Sequence, residues 1–186
     1  MVGQVLHVAA SAYDGGMGDS TAIQLQLVHE VSCLLADAQI PHWLFGGWSV
    51  DFHVGSVTRE HGDLEFFIWE HDGPLAGAMM DAAGYQLVDH PHPEEASIWR
   101  KHGQIVELYF VEVNAQGEVV ARGRWDHWPS PENALGSEVR VLHGVECPVV
   151  SMQCILGVKQ GYAKYTGIPP REKDRADVMA LRHALE

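Results

Sequence analysis

Asp63 and Glu65 stand two residues apart in Thr58-Arg59-Glu60-His61-Gly62-Asp63-Leu64-Glu65, shortly after Phe45-Gly46-Gly47-Trp48-Ser49-Val50-Asp51. On a strand, alternate side chains leave the same face, so both carboxylates point into one space. Hard divalent cations such as Mg²⁺ take oxygen ligands and keep their bonds to substrate phosphates. A glycine pair that opens a helix offers backbone amides and the positive end of the helix dipole to an anion. Taken alone, Gly46-Gly47 reads as a plain turn. Followed by two parallel carboxylates, it suits a metal-bound nucleoside triphosphate. Glu107 adds a third carboxylate within Ile105-Val106-Glu107-Leu108-Tyr109-Phe110, an otherwise apolar strand. A carboxylate there is costly to bury unless something pairs with it. A metal or a substrate hydroxyl supplies that partner; an exposed strand face is the alternative.

The elements that must position these groups follow from periodicity and turn residues. Residues 1–19, glycine-rich toward their end, read as a mobile lead-in. Ser20 is placed as the cap of a helix over 20–37, with Ile23, Leu27, Val31, Leu34 and Leu35 as its apolar stripe. A strand over 42–45 leads into a helix over 47–54, which Gly55 closes. Strand 63–69 carries the carboxylate pair. Pro74 opens a helix through 83, stopped by Gly84. Strands are expected over 85–89, 97–101 and 104–113, then as a pair near 119–124 and 139–143. Helices over 151–165 and 173–185 finish the chain. This order predicts an α+β fold, a mixed β-sheet with helices packed on it. Residues 20–150 are expected to form the catalytic domain, and residues 151–186 a C-terminal helical segment packed on it.

With 186 residues and 46% hydrophobic content, the chain can bury a core of its own. No apolar run approaches the roughly 20 residues that cross a bilayer. No basic segment followed by an apolar one marks a secretory signal. Cys33, Cys147 and Cys154 show no paired spacing and read as reduced thiols, so a cytoplasmic location is expected. The net charge of −13 disfavours nucleic acid; it favours a cationic small substrate or merely keeps the protein soluble, and no membrane partner is expected. Other residues keep two readings. Asp51 is a metal ligand or a capping group. Trp125 and Trp128 form an acceptor wall or pack internally, Trp99 packs in the core, and His90-Pro91-His92 lies on a loop.

Gly46-Gly47-Trp48-Ser49-Val50-Asp51, the segment from Thr58 to Glu65, and Arg171-Glu172-Lys173-Asp174-Arg175-Ala176-Asp177 together resemble the aminoglycoside and lincosamide nucleotidyltransferases. These belong to the DNA polymerase β-type nucleotidyltransferase superfamily, and the aminoglycoside 2''-adenylyltransferase group is the most similar. The resemblance implies that Gly46 and Gly47 hold the triphosphate and that Asp63 and Glu65 bind the metal. It implies that Glu107 binds metal or takes the acceptor's proton, and that Lys159 lies near the phosphates. Arg59 and His61 then flank the nucleotide. The family more often has Asp where this chain has Glu65 and Glu107.

The expected activity is Mg²⁺-dependent transfer of a nucleoside monophosphate, with ATP as donor, to a hydroxyl of a small polar acceptor. An aminoglycoside antibiotic is the expected acceptor, and the enzyme works as a monomer or homodimer. The rival readings are a lincosamide-modifying enzyme, a binding protein of this fold with weakened or lost chemistry, and a toxin that modifies RNA or protein.

Overall fold

Helix–strand alternation is realised around one mixed sheet in the computed structural model, which describes residues 18–186. The expected lead-in lies, up to residue 17, outside the described residues. The elements are α1 (Asp19–Asp37), β1 (His42–Phe45), α2 (Gly46–Val54), β2 (Leu64–Trp69) and α3 (Gly73–Ala82). Then follow β3 (Gln86–Val88), β4 (Ala96–Lys101), β5 (Gln104–Val113), β6 (Val119–Ala121), β7 (Val139–Leu142) and β8 (Val145–Pro148). Helices α4 (Met152–Thr166) and α5 (Glu172–His183) end the chain. The strands of the main sheet run β1-β2-β5-β4-β3, and β6 pairs with β5. Among the described strands of this sheet, β2 and β5 run parallel and the other pairings are antiparallel.

Period-2 alternation divides this sheet into two faces. One face, with Leu64, Phe66, Ile68, Val106 and Leu108, packs on α1 and α3 in the larger core. The other presents Trp43, Phe67 and Val111 to Val150, Cys154, Ile155 and Leu181. Burying one large aliphatic or aromatic side chain contributes roughly 2 kcal/mol, so both faces are anchored. Helix α4 packs on α5, and both pack on α2. Ser151 caps α4 by accepting from the Cys154 amide at 3.2 Å.

Several local expectations are corrected. Ser20 does not cap α1; Gly18 does, with extended backbone, and Ser20 lies in the first turn. Leu25 and Val28 join the buried stripe while Ile23 and Leu34 are only partly covered. The strands near 119–124 and 139–143 do not pair: β6 joins β5, and β7 pairs with β8, a strand the sequence did not announce. Gly144 (φ +79°) sits between β7 and β8 and marks that hairpin. Trp99 is buried in the larger core, as expected. The three cysteines are free, and burial pushes the Cys147 and Cys154 thiols up to about 12. Among the described residues, no helix is long and apolar enough to cross a membrane.

Candidate active site

The junction of β1 and α2 is built for glycine. Gly46 has φ +65°, a region most side chains avoid. A Cβ there would also sit 1.6 Å from Glu65 Oε2, so the carboxylate stands directly over the turn. A Cβ on Gly47 would meet His61 Nδ1 at 2.4 Å and Arg59 Nη2 at 2.6 Å. The pair therefore lets a carboxylate, an imidazole and a guanidinium press against the start of α2.

The loop that delivers these groups is pinned from beneath. Asp51, fully buried on α2, accepts from the Thr58 amide (3.1 Å) and hydroxyl (2.5 Å). Its other oxygen is 2.6 Å from His61 Nε2. Asp51 is thus an internal anchor, and the metal-ligand reading falls away because all its bonds go to the loop. Gln24, buried on α1, donates to the His61 carbonyl at 3.0 Å and accepts from Trp48 Nε1 at 3.1 Å. Sequence reading passed over Gln24; a polar residue within an apolar stripe was the available signal.

Parallel pairing of β2 with β5 puts Glu65 opposite Glu107. Asp63 lies one residue before β2. All three line one cleft of about 620 Å³, together with Gly46, Gly47, Arg59, His61 and Lys159. The candidate residues from the sequence therefore converge. Burial pushes the Glu65 carboxyl up to about 7; nearby Asp63 and Glu107 add to this, while Lys159 opposes it. Burial also raises Glu107, partly offset by the Tyr109 hydroxyl. Burial and the adjacent Glu107 raise Tyr109 in turn. Burial and neighbouring carboxylates thus hold both carboxyls above their ordinary range, and oxygen donors of this kind fit a hard divalent ion. The oxygens of Asp63, Glu65 and Glu107 do not all approach within 4.8 Å of one another. Among the described residues the one trio that does is His92, Glu94 and Glu95. Glu95 there already accepts from the Arg124 amide and Nε, both at 3.0 Å.

The facing wall, from α4 and α5, is cationic and paired. Lys159 Nζ lies 3.3 Å from Asp174 Oδ1 and 2.9 Å from Asp177 Oδ2. Arg59 makes a two-pronged contact with Asp177, both bonds at 3.1 Å. Arg171 does the same to Asp174, at 2.7 and 3.0 Å. Burial works against ionising Asp174 and Asp177. The hydrogen bonds and charges of Arg171, Arg59 and Lys159 overcome it and hold both carboxyls below their ordinary range. The sequence offered Asp174 and Asp177 only as part of a tail motif; their three-residue spacing, which places both on one helix face, was the usable signal.

The remaining wall is aromatic. Trp125, Trp128, Tyr162 and Tyr165 line it, with Trp128 stacked on Tyr165 at 4.3 Å. Arg124, Lys164 and Arg171 lie over Trp125, Tyr165 and Tyr162. Glu60, Glu94, Glu95 and Asp126 do not line the cleft, and its acids are Asp63, Glu65, Glu107 and the paired Asp174.

Residues 27–181 match the family model described as aminoglycoside-2''-adenylyltransferase. A 2''-aminoglycoside nucleotidyltransferase of Klebsiella pneumoniae is 33% identical over 67 residues, 36% of this chain and 37% of the relative. A lincosamide resistance protein of Staphylococcus haemolyticus is 25% identical over 87 residues, 46% of this chain and 53% of the relative. The chain thus aligns with little over a third of the length of the first of these and about half of the second. In fold it is similar to ANT(2'')-Ia, crystallised with adenylyl-2''-tobramycin (TM-score 0.71, 17% identity, 88% of this chain and 90% of the other). It is also similar to the lincosamide antibiotic adenylyltransferase LnuA, lincomycin-bound (TM-score 0.65, 18% identity, 87% and 96%).

Proposed function

The chain belongs to the aminoglycoside-2''-adenylyltransferase family, and on that premise we propose that it transfers a nucleoside monophosphate from ATP to a hydroxyl of an aminoglycoside. The acceptor oxygen forms a bond to the α-phosphorus, the bond to the bridging oxygen breaks, and pyrophosphate leaves. The single observation that carries this reading is the convergence of Asp63, Glu65 and Glu107 beside the Gly46-Gly47 turn, in one cleft with Lys159 and Arg59.

Each residue acts according to its surroundings. The amides that open α2 meet the triphosphate, helped by the helix dipole. Lys159 and Arg59 face the charge that grows on the departing pyrophosphate. His61, its Nε2 held by Asp51, keeps Nδ1 on the Gly47 side. Asp63 and Glu65, with Glu107, are the groups that would hold a divalent cation such as Mg²⁺. That ion, when bound, neutralises charge on the phosphates and polarises the phosphoryl oxygen. Glu107, whose burial raises its proton affinity, accepts the proton of the attacking hydroxyl.

Acceptor choice has a second reading. The net charge of −13 draws a polycation to the protein. The aromatic wall, however, already carries Arg124, Lys164 and Arg171 over its rings, which favours an acceptor with fewer charges, such as a lincosamide. Pyrophosphate release is measured with each of the four ribonucleoside triphosphates and Mg²⁺ against a panel of both antibiotic classes. Release that depends on ATP and an aminoglycoside is expected. Release with lincosamides alone moves the acceptor to that class, and none with any acceptor favours a binding protein of this fold.

A further inference from the structure

Helix α5 reads as a polar surface helix, yet Asp177 on it is 2% exposed and does not line the cleft. Its two oxygens take three bonds: Oδ1 accepts from Arg59 Nε, and Oδ2 accepts from Arg59 Nη2 and pairs with Lys159 Nζ at 2.9 Å. Arg59 lies 118 residues earlier in the chain. We infer that Asp177 is a positioning residue, which fixes Arg59 and Lys159 at the phosphate end of the cleft; this rests on the nucleotidyl transfer proposed above.

Arg59 and Lys159 both line the cleft, and the guanidinium of Arg59 reaches the Gly47 turn. Two cations at such separation repel unless a shared anion lies between them. Asp177 supplies it from behind, so neither cation has to leave the cleft to find a counter-charge. Asp174 repeats the arrangement for Lys159 and Arg171. Three cations (Arg59, Lys159, Arg171) on two carboxylates (Asp174, Asp177) leave one positive charge over. That surplus is preorganised for an anion in the cleft, with the side-chain ordering already done before a ligand arrives. A buried ion pair is weak support for fold stability, so a purely stabilising role accounts less well for a network that carries excess charge.

The test compares Asp177→Asn with Leu181→Ala, a fully buried core residue one turn further along α5. Binding of a non-hydrolysable ATP analogue with Mg²⁺ is measured by calorimetry, alongside Tm and the KM of each substrate. Asp177→Asn is expected to weaken analogue binding roughly tenfold or more, raise the nucleotide KM in step, and leave the acceptor KM within about twofold. Leu181→Ala is expected to lower Tm with unchanged analogue binding. If the asparagine variant does not fold, Asp177→Glu keeps the charge but displaces it by a methylene, and the same shift in nucleotide affinity is expected. Wild-type analogue binding in a folded Asp177 variant, or an equal loss in Leu181→Ala, overturns the inference and leaves the proposed function intact. A wild-type protein that binds no analogue overturns both.

Discussion

The two charged walls of the cleft are opposites in construction. The sheet wall carries Asp63, Glu65 and Glu107 with no ion pair to any described side chain, and burial raises two of these carboxyls. The helical wall carries Asp174 and Asp177, equally acidic by type, yet held below the ordinary range by three cations. The same carboxylate group is destabilised on one side and stabilised on the other. A wall that repels itself is prepared to receive a cation, while a wall tied by its own ion pairs, with one positive charge over, is held in place to meet an anion. Removing a charge is therefore expected to cost turnover without stability on the first wall, and stability together with nucleotide binding on the second.

The largest effect expected is on the helical side. Lys159→Ala removes the cation shared by two buried acids, and breaking such a contact typically costs about 3 kcal/mol. A melt with Tm unchanged would remove the distinction between the walls. The helical wall also has an acid limit. Because Asp174 and Asp177 have depressed carboxyls, their contribution is present above the ordinary range near 4 and is lost as pH falls through their lowered values.

Asp63→Asn tests the sheet side. It keeps shape and removes a charge, so turnover should fall at least about a hundredfold, or roughly 2.7 kcal/mol of transition-state stabilisation. Tm should not fall, since the lost charge has no partner. Near-normal turnover would exclude Asp63 as a metal ligand.

Glu65→Gln sharpens the contrast by sign. The Glu65 carboxyl is raised from 4.5 to about 7, so ionising it costs the native state stability from about pH 4.5 upward, levelling above about 7. The shift corresponds to about 3 kcal/mol, discounted to about 2 because the group faces the cleft. The metal-free variant should therefore melt higher than wild type at pH 8 and no differently at pH 4. Wild-type Mg²⁺ affinity should correspondingly rise with pH through about 7, because a ligand must lose its proton. An equal difference between variant and wild type at both pH values would refute the raised carboxyl.

The smallest effect is expected where the walls meet. Gly47→Ala forces His61 and Arg59 outward from 2.4 and 2.6 Å, a crowding worth about 1–2 kcal/mol. Arg59 should then bind the nucleotide less well while the carboxylate wall keeps its Mg²⁺ affinity. Equal loss of both would mean that the walls are coupled through the turn.

What the sequence determined by itself is local. Gly46-Gly47 before a helix, Asp63 and Glu65 at strand spacing, the apolar stripe of α1 and most helix and strand limits rest on contacts a few residues apart. The composite of short motifs carried the family in the same way. Tertiary structure decided what lies far apart in the chain. Parallel register alone sets Glu65 beside Glu107, and nothing near Glu107 encodes that partner. Asp51 stood open between a metal ligand and a capping group until Thr58 and His61 took its oxygens. Asp174 and Asp177 stood only within a tail motif, because the polarity of a segment does not record whether counter-charges await it. Arg59 and Lys159 reach Asp177 only after α5 has packed on α2 and α4. Whether a carboxylate is raised, lowered or neutral in effect is set by the distance of other charges and by exclusion of water, and both exist only once the chain has folded.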